Sequence, residues 1–303
     1  MRLAAIDIGS NAARLLISDV VYTKAGAGSR PEFIKIALIR VPLRLGFDVF
    51  DRGEVSSTKV EKIIKTLKSY KYLLDVYEVP YLKACATSAM RDATNSAEII
   101  RKIKSETGID IEVISGQQEA SVIYENHVAE NMKSDESYLY IDVGGGSTEL
   151  TFFSDGKPVF KESYNIGTIR LLKNQVTESQ WDTMKEFIKT RTKGFHHVTA
   201  IGSGGNINKV FSLSKRKEGK PLSLELLRDY YKEFSTLSLE QRIALYRLRE
   251  DRADVIVPAL LIYINVMRWA DTEEIYVPKI GLVDGLIHTL YEEVNKTPAG
   301  QNQ

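Results

Sequence analysis

Tyr138-Leu139-Tyr140-Ile141-Asp142-Val143-Gly144-Gly145-Gly146-Ser147-Thr148-Glu149 repeats a pattern that opens the chain, where Leu3-Ala4-Ala5-Ile6-Asp7-Ile8 runs into Gly9-Ser10-Asn11. Each stretch is an apolar run of buried-strand composition, with an aspartate near its end and a turn of glycine and small polar residues after it. Each then returns as a strand, over residues 13–20 in the first case and 149–153 in the second. A third strand follows in both. It spans 33–39 after a Gly/Ser-rich hairpin tip at 24–30, and 159–166 after the Asp155-Gly156 turn. Asp7 and Asp142 set a repeat of 135 residues (142 − 7). That is far too long for a solenoid unit and implies two duplicated domains, each a mixed α/β sheet.

The remaining pattern fits those two copies. Val60, Ile63, Ile64, Leu67, Tyr70 and Leu74 keep helical spacing, with Ser57 or Thr58 as cap. A strand at 81–86, a helix at 97–107 stopping at Gly108, a strand at 110–114 and a helix at 117–130 complete the first copy. In the second, a helix at 178–190 capped by Thr177 precedes a strand at 198–201 and the turn Gly202-Ser203-Gly204-Gly205-Asn206. Helices within 222–248 and at 254–270, a strand at 275–277, a closing helix at 282–294 and a frayed tail from Pro298 finish it. The expected domains are 1–120 and 121–303, with the segment from about 288 packing back on the first.

Composition narrows the functional class. The chain has 303 residues, is 43% hydrophobic and 27% charged, and carries a formal net charge of +1. A nucleic-acid polymer as partner calls for a strongly basic domain, which this balance does not provide. No run approaches the ~20 apolar residues that span a bilayer. Asp7 interrupts the N-terminus too early for a signal-peptide core. The single cysteine, Cys85, excludes an intramolecular disulfide and a Cys-rich zinc site, and reads as a small buried strand residue. His127, His196, His197 and His288 show no metal-ligand spacing and read as structural or surface residues. A soluble, cytoplasmic protein without a membrane partner is expected.

The glycine turns carry the chemistry. A glycine has no Cβ to hold a ligand away, so backbone N–H groups come close to an anion. Two related turns, each beside a strand-end aspartate, hold one phosphate from two sides if the domains face each other.

Five segments in order, Asp7-Ile8-Gly9-Ser10-Asn11, Ala86-Thr87-Ser88-Ala89-Met90-Arg91, Ser115-Gly116-Gln117-Gln118-Glu119-Ala120, Asp142 to Glu149, and Ile201-Gly202-Ser203-Gly204-Gly205, resemble the exopolyphosphatase / guanosine pentaphosphate phosphohydrolase family over nearly the whole chain. The resemblance implies two ribonuclease H-like domains of the actin-like ATPase superfamily facing each other across a cleft. It implies Mg²⁺-dependent hydrolysis of the terminal phosphoanhydride of polyphosphate or guanosine pentaphosphate, and a homodimer. By the same resemblance Asp142 and Glu149 hold Mg²⁺, Glu119 orients or deprotonates the attacking water, and Arg91 clamps phosphate oxygens with its fork. Asp7, Gly9, Ser10, Asn11, Gly144, Gly145, Gly146, Ser147, Thr148, Gly204 and Gly205 bind substrate. Arg44 and Lys209 are weaker phosphate candidates.

Other readings stay open at this level. Asp7 alone also fits a turn-stabilising Asx contact, and Glu119 an exposed residue of a first helical turn. Lys215-Arg216-Lys217 and Lys220 read by default as a solvated loop, and otherwise as a track for a long polyanion. Gln118, Ser121 and Asn206 depart from the family pattern, as does the segment from Ile280 to Gly285, which leaves substrate identity open. With a net charge near zero and a chain ending after the second domain, short polyphosphates are expected to be handled at least as well as long ones. A kinase or ATPase of the same superfamily, and a non-catalytic alarmone or polyphosphate sensor, are the competing functions.

Overall fold

A strand–turn–strand unit begins each half of the protein. The computed structural model describes residues 1–25, 28–124, 136–195 and 197–296. The first half contains β1 (Arg2–Ile8), β2 (Ala12–Ala25), β3 (Gly28–Pro42), α1 (Gly46–Arg52), α2 (Ser57–Val76), β4 (Tyr81–Ala86), α3 (Ser88–Asp92), α4 (Ser96–Thr107), β5 (Glu112–Val113) and α5 (Gly116–Tyr124). The second half contains β6 (Ser137–Val143), β7 (Thr148–Ser154), β8 (Lys157–Tyr164), α6 (Thr168–Leu172), α7 (Glu178–Thr192), β9 (Val198–Ser203), α8 (Gly205–Leu213), β10 (Leu222–Ser223), α9 (Leu224–Thr236), α10 (Leu239–Tyr246), α11 (Glu250–Ala253), α12 (Ile256–Trp269), β11 (Glu274–Tyr276) and α13 (Leu282–Lys296).

The strands form two sheets, ordered β3-β2-β1-β4-β5 and β10-β11-β9-β6-β7-β8. In each, three antiparallel strands lead and the next strand adds parallel to the first, β4 beside β1 and β9 beside β6. The duplication is therefore exact in topology through the fourth strand. Register carries it to single residues. Asp7 sits opposite Arg14, and Arg14 opposite Arg40; Asp142 sits opposite Glu149, and Glu149 opposite Ser163. Directly opposed residues point to one face of a sheet. Each sheet thus presents one row of polar side chains at the end where its glycine turn lies.

Three apolar clusters hold the fold. One lies in the second half around Leu139, Phe152, Met184, Phe234 and Tyr263, and one in the first around Ile6, Leu15, Ile63, Leu67 and Tyr70. The first-half cluster includes Ile169 and Val255 from the second half, so the halves share apolar surface. The third packs Leu282, Leu286 and Leu290 of α13 against Leu3, Ala5, Leu16, Tyr138 and Tyr140.

Several expectations need correction. The segment after the strand at 81–86, which the sequence left unassigned, turns at Thr87 directly into helix α3. The N-cap of α2 is Ser56, whose side chain makes no capping bond. β2 and β3 outrun the apolar pattern because a two-stranded ladder is held by backbone bonds whatever the side chains. The strand expected at 110–114 shortens to two residues. Helices α1, α6 and α8 carried no prior assignment. Gly108 does close α4 in the left-handed conformation, and Thr177 caps α7 reciprocally with Gln180. Cys85 is buried, His288 packs on Phe33 and His197 is exposed. His127, His196, part of the hairpin tip at 24–30, the helix beyond Tyr124 and the tail from Pro298 lie outside the described residues. Among the described residues no helix is long and apolar enough to cross a membrane.

Candidate active site

The two glycine turns meet. A Cβ on Gly145 would stand 2.8 Å from Ser10 Cβ, so the absence of a side chain is what lets the second turn lie on the first. Gly146 lies against Phe50 and Ser88. The second turn's carbonyls are taken up by α6, where Thr168 and Ile169 amides donate to Gly144 and Gly145, and Arg170 Nε donates to Gly146 at 2.8 Å. The guanidinium of Arg170 also pairs with Asp92 and covers Phe50 at 4.1 Å, tying the halves beside the turn.

Between the halves lies a cavity of about 250 Å³. Asp7, Gly9, Ser10, Asn11, Glu119, Asp142, Gly144, Gly145, Ser147, Gly204 and Gly205 line it. Arg91, Gly146, Thr148 and Glu149 do not reach its wall. Thr148 is fully buried and donates its hydroxyl to Ile166 at 2.6 Å. Glu149, 2% exposed, lies behind Asp142 and accepts from Ser163 Oγ at 3.0 Å. Arg91 donates to the Ile114 carbonyl at 2.8 Å and lies 3.9 Å from the Glu119 carboxylate.

Glu119 occupies the first turn of α5, but is only 8% exposed. Gly116, at the head of that helix, is pressed onto Ser163, which brings α5 down over the Glu149 row. Burial first, then the charges of Glu149, Asp142 and Asp7, lift the pKa of Glu119 well above the usual value against Arg91. Burial likewise lifts Asp142 to about 6, although Arg14 and Ser203 oppose it. Burial and then Asp142 lift Glu149 to about 7. Asp7 is raised by burial against its pairing with Arg14 at 2.8 Å.

These carboxylates are short of positive charge. Asp7 Oδ1, Glu119 Oε2 and Glu149 Oε2 are buried and lack hydrogen-bond donors. Oxygen ligands of this kind suit a hard divalent cation, which takes one or two carboxylates and completes its shell with water and phosphate oxygens. Among the described residues no three such side chains converge to hold a metal unaided.

The same lining also carries cations, which sequence reasoning missed. Arg14, Arg40 and Arg252 line the cavity, with Lys35 and Lys279 at one end. Arg40 pairs with Asp251 at 2.5 Å, and Arg252 donates to the Gly205 carbonyl. Burial, and then the charges of Arg40 and Arg249, push Arg252 down to about 10. Arg14 was legible in the repeat, since it lies seven residues after Asp7, as Glu149 does after Asp142. Arg44, a weaker phosphate candidate, instead pairs with Asp254 at 2.5 Å. Lys209 is absent from the cavity wall.

The profile of the Ppx/GppA phosphatase family matches residues 20–294. The chain belongs to that family. Exopolyphosphatase 1 of Mycobacterium tuberculosis is 25% identical over 95% of this chain and 87% of its own length. A bifunctional 3-dehydroquinate synthase/phosphatase of Fusobacterium nucleatum is 30% identical over 71% of this chain, which spans only 34% of that longer protein. The crystal structure of an exopolyphosphatase from Cytophaga hutchinsonii superposes with a TM-score of 0.81, covering 99% of this chain and all of that one at 25% identity. The Aquifex aeolicus family member superposes at 0.75, covering 98% of this chain and 99% of that one at 28% identity. The Ppx/GppA member described here has the two-domain actin-like ATPase fold of these neighbours and is, by membership, a hydrolase.

Proposed function

We propose that this protein removes the terminal phosphate of inorganic polyphosphate in a Mg²⁺-dependent hydrolysis. The observation that carries the reading is one cavity lining that brings the carboxylates of Asp7, Glu119 and Asp142 together with the half-buried arginines Arg14, Arg40 and Arg252 beside the glycine turns. Exopolyphosphatases similar to this chain over 95% of its length support it.

Phosphoryl transfer to water asks the protein for charge neutralisation and an oriented nucleophile more than for covalent chemistry. Arg14, Arg40 and Arg252 would neutralise the phosphate oxygens. The small residues of the turns would admit backbone N–H groups to them. Asp142 and Glu149 would hold Mg²⁺, which supplies positive charge to the transferred group. Glu119 would orient a water against the terminal phosphorus. Its raised proton affinity suits it to receive the water's proton as the P–O bond to the shortened chain breaks.

Phosphate release from tripolyphosphate, long-chain polyphosphate, guanosine pentaphosphate and ATP, with Mg²⁺ and with EDTA, tests this. Release from the polyphosphates that stops in EDTA is expected. Turnover of ATP alone would replace the reading with a superfamily ATPase or kinase. Tight binding of any of these without release would make the protein a sensor. A large preference for guanosine pentaphosphate would move the substrate to the alarmone.

A further inference from the structure

The basic segment between α8 and β10 has more to do than solvate the surface. Lys215, Arg216, Lys217 and Lys220 are all exposed. Among the described residues none of their side chains has an ion-pair or hydrogen-bond partner. This contrasts with Lys35, Lys59, Lys68, Lys83 and Lys104, each of which is paired. With Glu218 as the only acid among them, the segment carries a local charge of +3 (4 − 1) in a chain of net +1.

Its position links it to the cavity. Glu218 reaches to 3.7 Å from the Lys279 ammonium, which also lies 5.7 Å from the centre of the Phe211 ring. Lys279 lines the cavity. Lys35, beside it, donates to the Lys279 carbonyl at 3.5 Å and lines the same end. Cationic side chains therefore lead from the inner arginines by the two rim lysines to the loop, with Asp284 paired to Lys35 at 2.5 Å and Glu218 near Lys279 among them. The loop's shape is held by its backbone: Ser214 Oγ donates to Phe211 and accepts from the Arg216 amide, and the Lys220 amide donates to Lys217. α8 begins at the third glycine turn, inside the cavity, and its 9 residues end at this loop. At 1.5 Å per residue the separation is roughly 13 Å, more than a three-phosphate substrate fixed at Glu119 bridges.

We propose that residues 214–221 form an outer subsite for the distal part of a long inorganic polyphosphate chain whose end occupies the cavity, with Lys35 and Lys279 marking its path. This rests on the polyphosphate reading above. It reverses the expectation that short chains are handled at least as well as long ones, since long chains gain affinity by displacing counterions at contacts only they reach.

The test compares wild type with K215A/R216A/K217A/K220A, and with a control of equal charge change on α2, K62A/K65A/K68A/K71A, whose positions are absent from the cavity wall. The readout is the ratio of kcat/KM on chains of several hundred phosphates to that on tripolyphosphate, over a salt series. Removing four contacts is expected to lower the ratio at least ~10-fold, and to flatten the long-chain log–log salt slope by about 3, at roughly 0.7 per contact as for single-stranded polyanions. The α2 control is expected to keep the wild-type ratio. An unchanged ratio in the loop variant, or an equal fall in the control, overturns the subsite. If wild type releases phosphate from neither polymer, the hydrolytic reading fails by itself. Direct binding of long-chain polyphosphate to the same three proteins then decides: weaker binding in the loop variant alone upholds the subsite, and equal affinity in all three overturns it.

Discussion

Glu149→Gln is expected to make the metal-free protein more stable at pH 8 while weakening its response to Mg²⁺. Folding buries this carboxylate almost completely, and burial with the charge of Asp142 raises its pKa from the usual 4.5 to about 7. A carboxyl raised in the folded state contributes stability that is fully present below about pH 4.5 and is lost as pH climbs through about 7. At about 1.4 kcal/mol per tenfold, the gap between 4.5 and about 7 corresponds to a loss of about 3 kcal/mol by pH 8. Glutamine stays neutral, and its carbonyl oxygen can still accept from Ser163 Oγ, so the variant avoids the loss. Urea unfolding in EDTA at pH 8 should favour the variant, and the difference should close toward pH 5. Saturating Mg²⁺ should then restore wild type, since a ligand at 100 times its Kd adds about 2.7 kcal/mol, and do less for the variant. A variant less stable than wild type at pH 8 in EDTA, by the same margin as at pH 5, would refute the reasoning. It would show that the charge is well paired rather than strained.

Glu119→Gln should lower kcat by at least ~100-fold with little change in substrate binding, as expected for a water-positioning group; wild-type turnover would remove it from the mechanism. Asp142→Asn should shift the Mg²⁺ activation curve to higher concentration, and a superimposable curve would place the metal elsewhere. Arg91→Lys replaces the planar guanidinium whose Nη1 meets the Ile114 carbonyl and approaches the Glu119 carboxylate, and kcat/KM should fall by roughly 1–3 kcal/mol equivalent; equal kinetics would leave Arg91 a surface or structural residue. Gly145→Ala drives a methyl into Ser10 Cβ and Ile169 Cδ1, and a thermal melt should register about 1–3 kcal/mol of destabilisation, whereas an unchanged midpoint would mean that the turns separate freely.

What could be read beforehand was local. An apolar run ending in an aspartate and a glycine turn is visible without any knowledge of partners, and its recurrence exposes the duplication. Gly108 and Thr177 act within one helical turn of themselves, so their roles were legible too. Helices α1 and α6, of 7 and 5 residues, are too short to show a periodicity. They exist because Phe50 meets Gly146 and Ile169 enters the first-half core, contacts between segments far apart in the chain. The cationic part of the lining was hidden for the same reason. Arg40 and Asp251 are distant in sequence, and nothing near Arg40 announces its partner. Glu119 could be placed on a helix, but not its burial, because that depends on Gly116 pressing onto β8.

Beside their aspartates the two polar rows differ in charge, Arg14 and Arg40 in the first sheet standing where Glu149 and Ser163 stand in the second. Where the first sheet sets Arg14 opposite its aspartate, the second sets Glu149. Two copies of one fold facing each other would, if their side chains matched, offer a linear anion two equivalent orientations related by the pseudo-twofold axis. Exchanging one guanidinium for one carboxylate removes that equivalence. On the function proposed above, one bank would attract the chain directly and the other through Mg²⁺. The two banks of a symmetric scaffold therefore present different charges to an anion lying between them.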